Sequence, residues 1–233
     1  MSYIEISLEE VATRFVEALA SLHMQWVDPI YVGLAWGSSL DLWYADLLEK
    51  MSDEVFREEF VRLLAPVKFC FVDERVVPLD HEDSNYRAVS EKFFHPLIEA
   101  GLIGSDQAIP IDPDVDDPAR DYAHKISKMH IALFWSGPDG HIASLFPEDP
   151  DNDYLLDREE VTFLNVGNNT KDANARITMT PGMIREIGAA FIFFMWAGKK
   201  GAYDNFMDDS VAIDECPAKL TKQARNTFVI QRD

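Results

Sequence analysis

The sequence predicts an α/β protein: a single three-layer α/β/α domain, residues 1–233, built on a mostly parallel, Rossmann-like sheet of six strands. Three observations carry this expectation. Short apolar runs of strand length alternate with stretches of helical periodicity, the pattern of β-α-β units joined by right-handed crossovers. The runs are continuously apolar rather than alternating, as strands covered on both faces must be. A chain of 233 residues, 47% of them hydrophobic, is long enough for one such core and for two small ones at most.

Taken in order, Leu8, Val11, Ala12, Phe15, Leu19, Leu22 and Trp26 recur every three or four positions, with Glu9, Glu10, Arg14 and Glu17 between them. This is an amphipathic helix. Ser7 is placed to cap it and Glu10 to complete a capping box. The first predicted strand is 30–35. A Gly-Ser turn leads from it into a helix over 40–51, and 55–64 is a further helix. Strands at 67–72 and 131–135 come next, separated by helical segments at 85–94 and 118–128. Strands at 161–166, 191–197 and 227–230 complete the six. Residues 109–118, rich in Pro and Asp, and 147–160, rich in Asp and Glu, read as exposed connections. No internal repeat or low-complexity tract is present.

Charge narrows the function classes. Lys plus Arg number 21 and Asp plus Glu 41, a net charge of −20. Such a surface repels nucleic acid and anionic lipid, so neither is an expected partner. It also repels phosphorylated small molecules at long range, and a phosphate site would need local cations. Arg75, Arg176, Lys199 and Lys200 are the candidates. The two cysteines, Cys70 and Cys216, have no metal-ligand or disulfide-framework spacing, which fits a reducing, cytoplasmic setting and no structural zinc. The first ten residues lack the pattern of a signal peptide, and no apolar run approaches the ~20 residues of a membrane span.

Two strand ends carry the chemistry. The apolar run 131–135 leads into Ser136-Gly137-Pro138-Asp139-Gly140-His141-Ile142-Ala143-Ser144-Leu145-Phe146-Pro147. Turn formers bend the chain there and present His141 at the carboxyl end of a strand, where open α/β sheets bind ligands. An imidazole takes protons near neutral pH. Asp139 either orients that imidazole or stabilises the turn. The run 69–72 ends in Asp73-Glu74-Arg75, with Ser84-Asn85-Tyr86 after it. Arg75 offers planar donors to an anion, or pairs with Asp73 or Glu74.

These motifs, in this order, resemble the 6-phosphogluconolactonase family. It carries D-E-R-x-V, then S-N-Y, then G-P-D-G-H-x-A-S-L-F-P. Arg176-Ile177-Thr178-Met179-Thr180, residues 198–202 and Cys216-Pro217-Ala218 match later family segments more loosely, so the resemblance spans nearly the whole chain. The related glucosamine-6-phosphate deaminases read D-E-Y and A-F-N-E at the two sites, and Arg75 and Ser144 set this chain apart from them. The resemblance implies hydrolysis of 6-phospho-D-glucono-1,5-lactone to 6-phosphogluconate in the oxidative pentose phosphate pathway. His141 would be the general base and Arg75 would lie at the substrate. Gly37, Ser38 and Ser39 would stand in the family's anion-binding loop, with Arg176 at a phosphate position. No metal or organic cofactor is implied, and the chain would act as a monomer or small homo-oligomer. The other readings are an impaired family member that binds a sugar phosphate or a protein, and an amino-sugar-phosphate deaminase.

Three positions depart from the family. Trp36 and Trp135 stand where it has glycines, and Gly201 stands where it has a lysine. Lys200, one residue earlier, would replace that lysine through a shifted turn. The two indoles either face the pocket or pack in the core. If the replaced glycines need φ > 0, each swap costs on the order of 1–2 kcal/mol.

Overall fold

The computed structural model describes residues 3–147, 163–166 and 175–232. Six strands form one parallel sheet: β1 (Tyr3–Ile6), β2 (Ile30–Leu34), β3 (Val67–Phe71), β5 (Ile131–Trp135), β8 (Ala189–Met195) and β9 (Thr227–Arg232). Their order is β1-β9-β8-β5-β2-β3. A second, antiparallel sheet joins β4 (Asp73–Arg75), β7 (Arg176–Met179) and β6 (Phe163–Val166) in that order. The helices are α1 (Leu8–Met24), α2 (Ser38–Lys50), α3 (Glu54–Leu64), α4 (Asn85–Val89), α5 (His95–Glu99), α6 (Pro118–Lys125), α7 (Pro181–Arg185) and α8 (Lys200–Met207). A π-helical turn, Ser90–Phe94, makes α4 and α5 one continuous rod.

The topology locates the site before any side chain is considered. From β2 the chain builds outward to β3, then crosses back to lay β5 on the other side of β2. The loops leaving β2 and β5 therefore diverge at their carboxyl ends, which opens a crevice at the switch point. Burial holds this frame rigid. β8 is buried along its whole length. On one face, Phe15 of α1 meets Trp43 of α2, Phe60 of α3 and Phe191 of β8 at ring distances of 5.2–6.3 Å. Phe93 and Phe94 of the π turn pack on Phe69 of β3.

The capping of α1 is as expected: Ser7 N–H donates to Glu10 Oε2 at 2.9 Å. The sixth strand of the parallel sheet is a different one. Residues 163–166 pair antiparallel with β7 and stand outside the main sheet. The sixth place belongs to β1, a short, half-exposed edge strand paired with β9. The strand expected at 191–197 starts at Ala189 and stops at Met195, where Trp196 takes a left-handed φ of 82°. Residues 148–162, with most of the second acidic connection, lie outside the described residues. Among the described residues no helix is long and apolar enough to cross a membrane.

Candidate active site

The switch-point crevice holds a cavity of about 200 Å³. Both sheets supply its walls: Trp135 from the end of β5, Trp36 and His141 from the loops after β2 and β5, and Asp73, Arg75 and Arg176 from the antiparallel sheet.

His141 is held by a turn that needs its glycines. Gly140 has φ 89°, a region that side chains disfavour. At Gly137 a Cβ would fall 2.0 Å from His141 Nδ1, so only glycine lets the imidazole fold back over the turn. Gly137 N–H donates to His141 O at 2.9 Å and closes the loop. Asp139 fills both roles open to it. Its Oδ1 lies 2.6 Å from His141 Nδ1 and also accepts His141 N–H at 3.2 Å. A carboxylate partner places the proton on Nδ1, which leaves the Nε2 lone pair as the basic atom. The ring sits between Trp135 and Phe146, with centroids 5.3 and 4.7 Å away. Its side chain keeps 16% exposure, enough for a water to reach it.

The cations come from β4 and β7. Register places Arg75 directly opposite Arg176 across the antiparallel pair. Opposed residues share a face, and two like charges there are unfavourable unless counter-charge answers them. Asp73 supplies part of it: its Oδ2 lies 3.7 Å from Arg176 Nη1 and accepts Ser144 Oγ at 2.7 Å. Ser144 Oγ also receives Arg176 Nη1 at 3.3 Å. Glu74 turns away from the cavity. It accepts the backbone N–H groups of Arg75, Asn85 and Tyr86 at 2.7–2.8 Å. Burial nevertheless pushes its carboxyl up to about 7. Arg75 donates from Nη1 to Asn85 Oδ1, and Asn85 Nδ2 in turn donates to the Asp73 carbonyl at 2.8 Å. Asn85 thus aims Arg75, and its place in Ser84-Asn85-Tyr86 was the available sequence signal.

The loop after β2 opens α2, with Gly37 at the N-cap. The side chains of Ser38 and Ser39 lie outside the described part of the structure. Trp36 and Trp135 both line the cavity, and neither has a left-handed backbone, so the expected strain is absent. Lys200 is corrected. It stands on the exposed side of α8, paired with Asp204 at 2.9 Å and away from the cavity. Helical phase turns its neighbour inward instead: Lys199 is buried, with Nζ 3.2 Å from the Trp135 ring centre. Ala143, two residues after His141, has φ 47° and also lines the cavity. Its backbone carries strain on the order of 1–2 kcal/mol, of the kind that collects at functional sites. Its place in the histidine motif was the available sequence signal, but nothing in the motif reports its left-handed backbone.

An imidazole paired with a carboxylate thus shares a small cavity with two guanidinium groups. That combination suits water attack on the activated carbonyl of an anionic small molecule.

The comparisons point the same way. The family described as glucosamine-6-phosphate isomerases/6-phosphogluconolactonase matches residues 6–230. The 6-phosphogluconolactonase of Borreliella burgdorferi is 33% identical over 169 residues, covering 70% of each chain. The rat 6-phosphogluconolactonase is 28% identical over 150 residues, 60% of this chain and 55% of the rat protein. The solved structure of the Trypanosoma brucei 6-phosphogluconolactonase shares the fold, with a TM-score of 0.76 at 22% identity, over 99% of this chain and 96% of the other. The chain belongs to the glucosamine-6-phosphate isomerase/6-phosphogluconolactonase family.

Proposed function

We propose that this family member hydrolyses 6-phospho-D-glucono-1,5-lactone to 6-phosphogluconate, with His141 as general base. The observation that carries the reading is the 2.6 Å His141–Asp139 pair opening on the same cavity as Arg75 and Arg176. His141 Nε2 takes a proton from water as the water oxygen attacks the lactone carbonyl carbon. Asp139 holds the imidazolium that forms. Arg75, aimed by Asn85, faces the developing oxyanion, and Arg176 faces the substrate phosphate. The tetrahedral intermediate then collapses, the ring C–O bond breaks, and the imidazolium returns its proton to the departing hydroxyl oxygen. Gly37, Ser38 and Ser39 serve as further hydrogen-bond donors to the anion at the start of α2.

We also read residues 1–233 as one domain acting in the cytoplasm, where the two free, buried cysteines stay reduced. The deaminase reading is weaker, because Ser144 engages the Asp73 carboxylate at 2.7 Å. The test is 6-phosphogluconate formation from the phosphorylated lactone, corrected for spontaneous hydrolysis. Enzyme-dependent acceleration supports the reading. A rate equal to the spontaneous one would favour an impaired member that only binds its ligand.

A further inference from the structure

Lys199 and Trp135 form a unit that the mechanism above leaves unused. Lys199 follows β8, the neighbour of β5, and is only 7% exposed. Its ammonium donates to the Ser136 carbonyl and lies over the Trp135 ring at 3.2 Å. Among the described residues no carboxylate stands within ion-pair distance of it. The Asp139 charge acts on it only from farther off, and burial lowers its pKa to about 8. Buried charges are normally paired. This one has a neutral carbonyl and a ring, and it remains mostly protonated at neutral pH. It lacks an anion.

Trp135 stands between Lys199 and the place from which an anion would come. The indole lines the cavity and Lys199 does not. The same indole lies tight against Gly37, where a Cβ would meet its ring atoms at 2.6–2.8 Å. The ring therefore covers both the buried cation and the N-cap of α2, a helix of 13 residues. Its own seat is imperfect. Trp135 Nε1 is buried with no acceptor among the described residues, an unfavourable state for a hydrogen-bond donor.

We propose that Trp135 is a specificity-determining residue: its indole caps Lys199, and a phosphate monoester on the substrate gains that cation only when the ring swings off it. For the identity of the substrate the inference rests on the lactonase reading; for anion binding it stands alone. An anion that needs a minor, ring-out state binds more weakly by the fraction of that state. Such states are populated at roughly 10% or less, so removing the ring is worth about tenfold or more in affinity.

The experiment measures binding of 6-phosphogluconate and of inorganic phosphate by calorimetry to the wild-type protein, Trp135→Gly, Trp135→Phe and the double variant Trp135→Gly/Lys199→Met. Trp135→Gly should bind 6-phosphogluconate about tenfold or more tightly. The added Lys199→Met change should abolish that gain. In turnover, KM should fall for the phosphorylated lactone and much less for glucono-1,5-lactone. Trp135→Phe, with a smaller ring and more of the packing kept, should gain an intermediate amount, and it carries the test if the glycine variant folds poorly. Equal affinity in the wild type and both single variants, or a gain that survives Lys199→Met, would overturn the proposal. If the wild type hydrolyses no lactone but the ring variants bind phosphate more tightly, the substrate reading fails and the gated cation stands.

Discussion

One strand, β5, separates two histidines. At its amino end, His130 accepts the backbone N–H of Tyr31 on Nδ1 at 2.9 Å, and its ring stacks parallel to Tyr31 at 6.1 Å. That acceptor role puts the proton on Nε2, which is buried without a partner among the described residues. Burial holds the ring neutral, with a pKa lowered to about 4. At the carboxyl end, His141 donates a hydrogen bond from Nδ1 to Asp139, which leaves Nε2 as the unprotonated nitrogen. The two imidazoles thus carry opposite tautomers. One completes the hydrogen bonding of a strand, and the other is placed for proton transfer. Cleft size does not separate them. The cleft beside His130 is about 310 Å³, larger than the 200 Å³ cavity at His141. What separates them is a carboxylate partner, opposed arginines and the switch point of the sheet, all found at one end only.

Exchanging the tautomer is the most direct way to turn one histidine into the other. Asp139→Asn can donate to Nδ1 and drive the proton to Nε2, making His141 resemble His130. Loss of a general base costs ~10²–10⁴-fold. We expect kcat to fall by that order with melting temperature nearly unchanged; a normal kcat would break the assignment. Gly137→Ala should reach a similar loss by another route, since its Cβ occupies the space of the imidazole. A crystal structure of that variant should show His141 displaced, and full activity with an unmoved ring would contradict the packing argument.

Arg75→Lys keeps the charge and loses the fork that Asn85 aims. With charged hydrogen bonds worth about 1.5–3 kcal/mol, kcat/KM should fall roughly 10–100-fold. A variant that melts much lower while its folded fraction turns over normally would make Arg75 structural.

A smaller effect sharpens the contrast from the His130 side. Its folded pKa, about 4, lies below the usual 6.5, so the unfolded chain binds the proton more tightly. The stability tied to its neutral form is complete above pH 6.5 and is lost as pH falls toward 4, a change on the order of 2–3 kcal/mol. Denaturant unfolding across that window should show this slope, and His130→Phe should flatten it. Equal slopes in both proteins would show that His130 titrates normally. Smaller still, Ser144→Ala removes the hydroxyl shared by Asp73 and Arg176 and should lower stability by about 1–3 kcal/mol; no change would mean water replaces it.

Much of the site was legible because turn chemistry is local. Gly137, Pro138 and Gly140 announce a bend, the apolar run before them announces a strand end, and together they expose His141 without any knowledge of distant contacts. The parallel sheet was legible for the same reason, through continuous apolar runs. The small sheet was not. Asp73–Arg75 and Arg176–Met179 are short and polar, and only their pairing makes them strands. Periodicity cannot report a partner that lies far along the chain. β1 escaped because an edge strand with exposed Ile4 and Glu5 looks like a frayed terminus. The choice between Lys199 and Lys200 turned on the phase of a helical turn, which spacing from Gly198 does not determine. Asn85 was visible as part of a motif, but its service to Arg75 depends on a side-chain path through Asp73 and Glu74.

In the proposed mechanism, position on β5 rather than residue type makes one histidine the base. The most direct measurement compares lactone hydrolysis by His141→Ala and His130→Ala, each checked for folding and corrected for the spontaneous reaction. The expected result is a loss of ~10²–10⁴-fold for His141→Ala with its fold kept, and near-normal turnover for His130→Ala with a lowered melting temperature. A folded His141→Ala protein that keeps more than about a third of the wild-type rate, the residue of a loss far smaller than base removal causes, would contradict it.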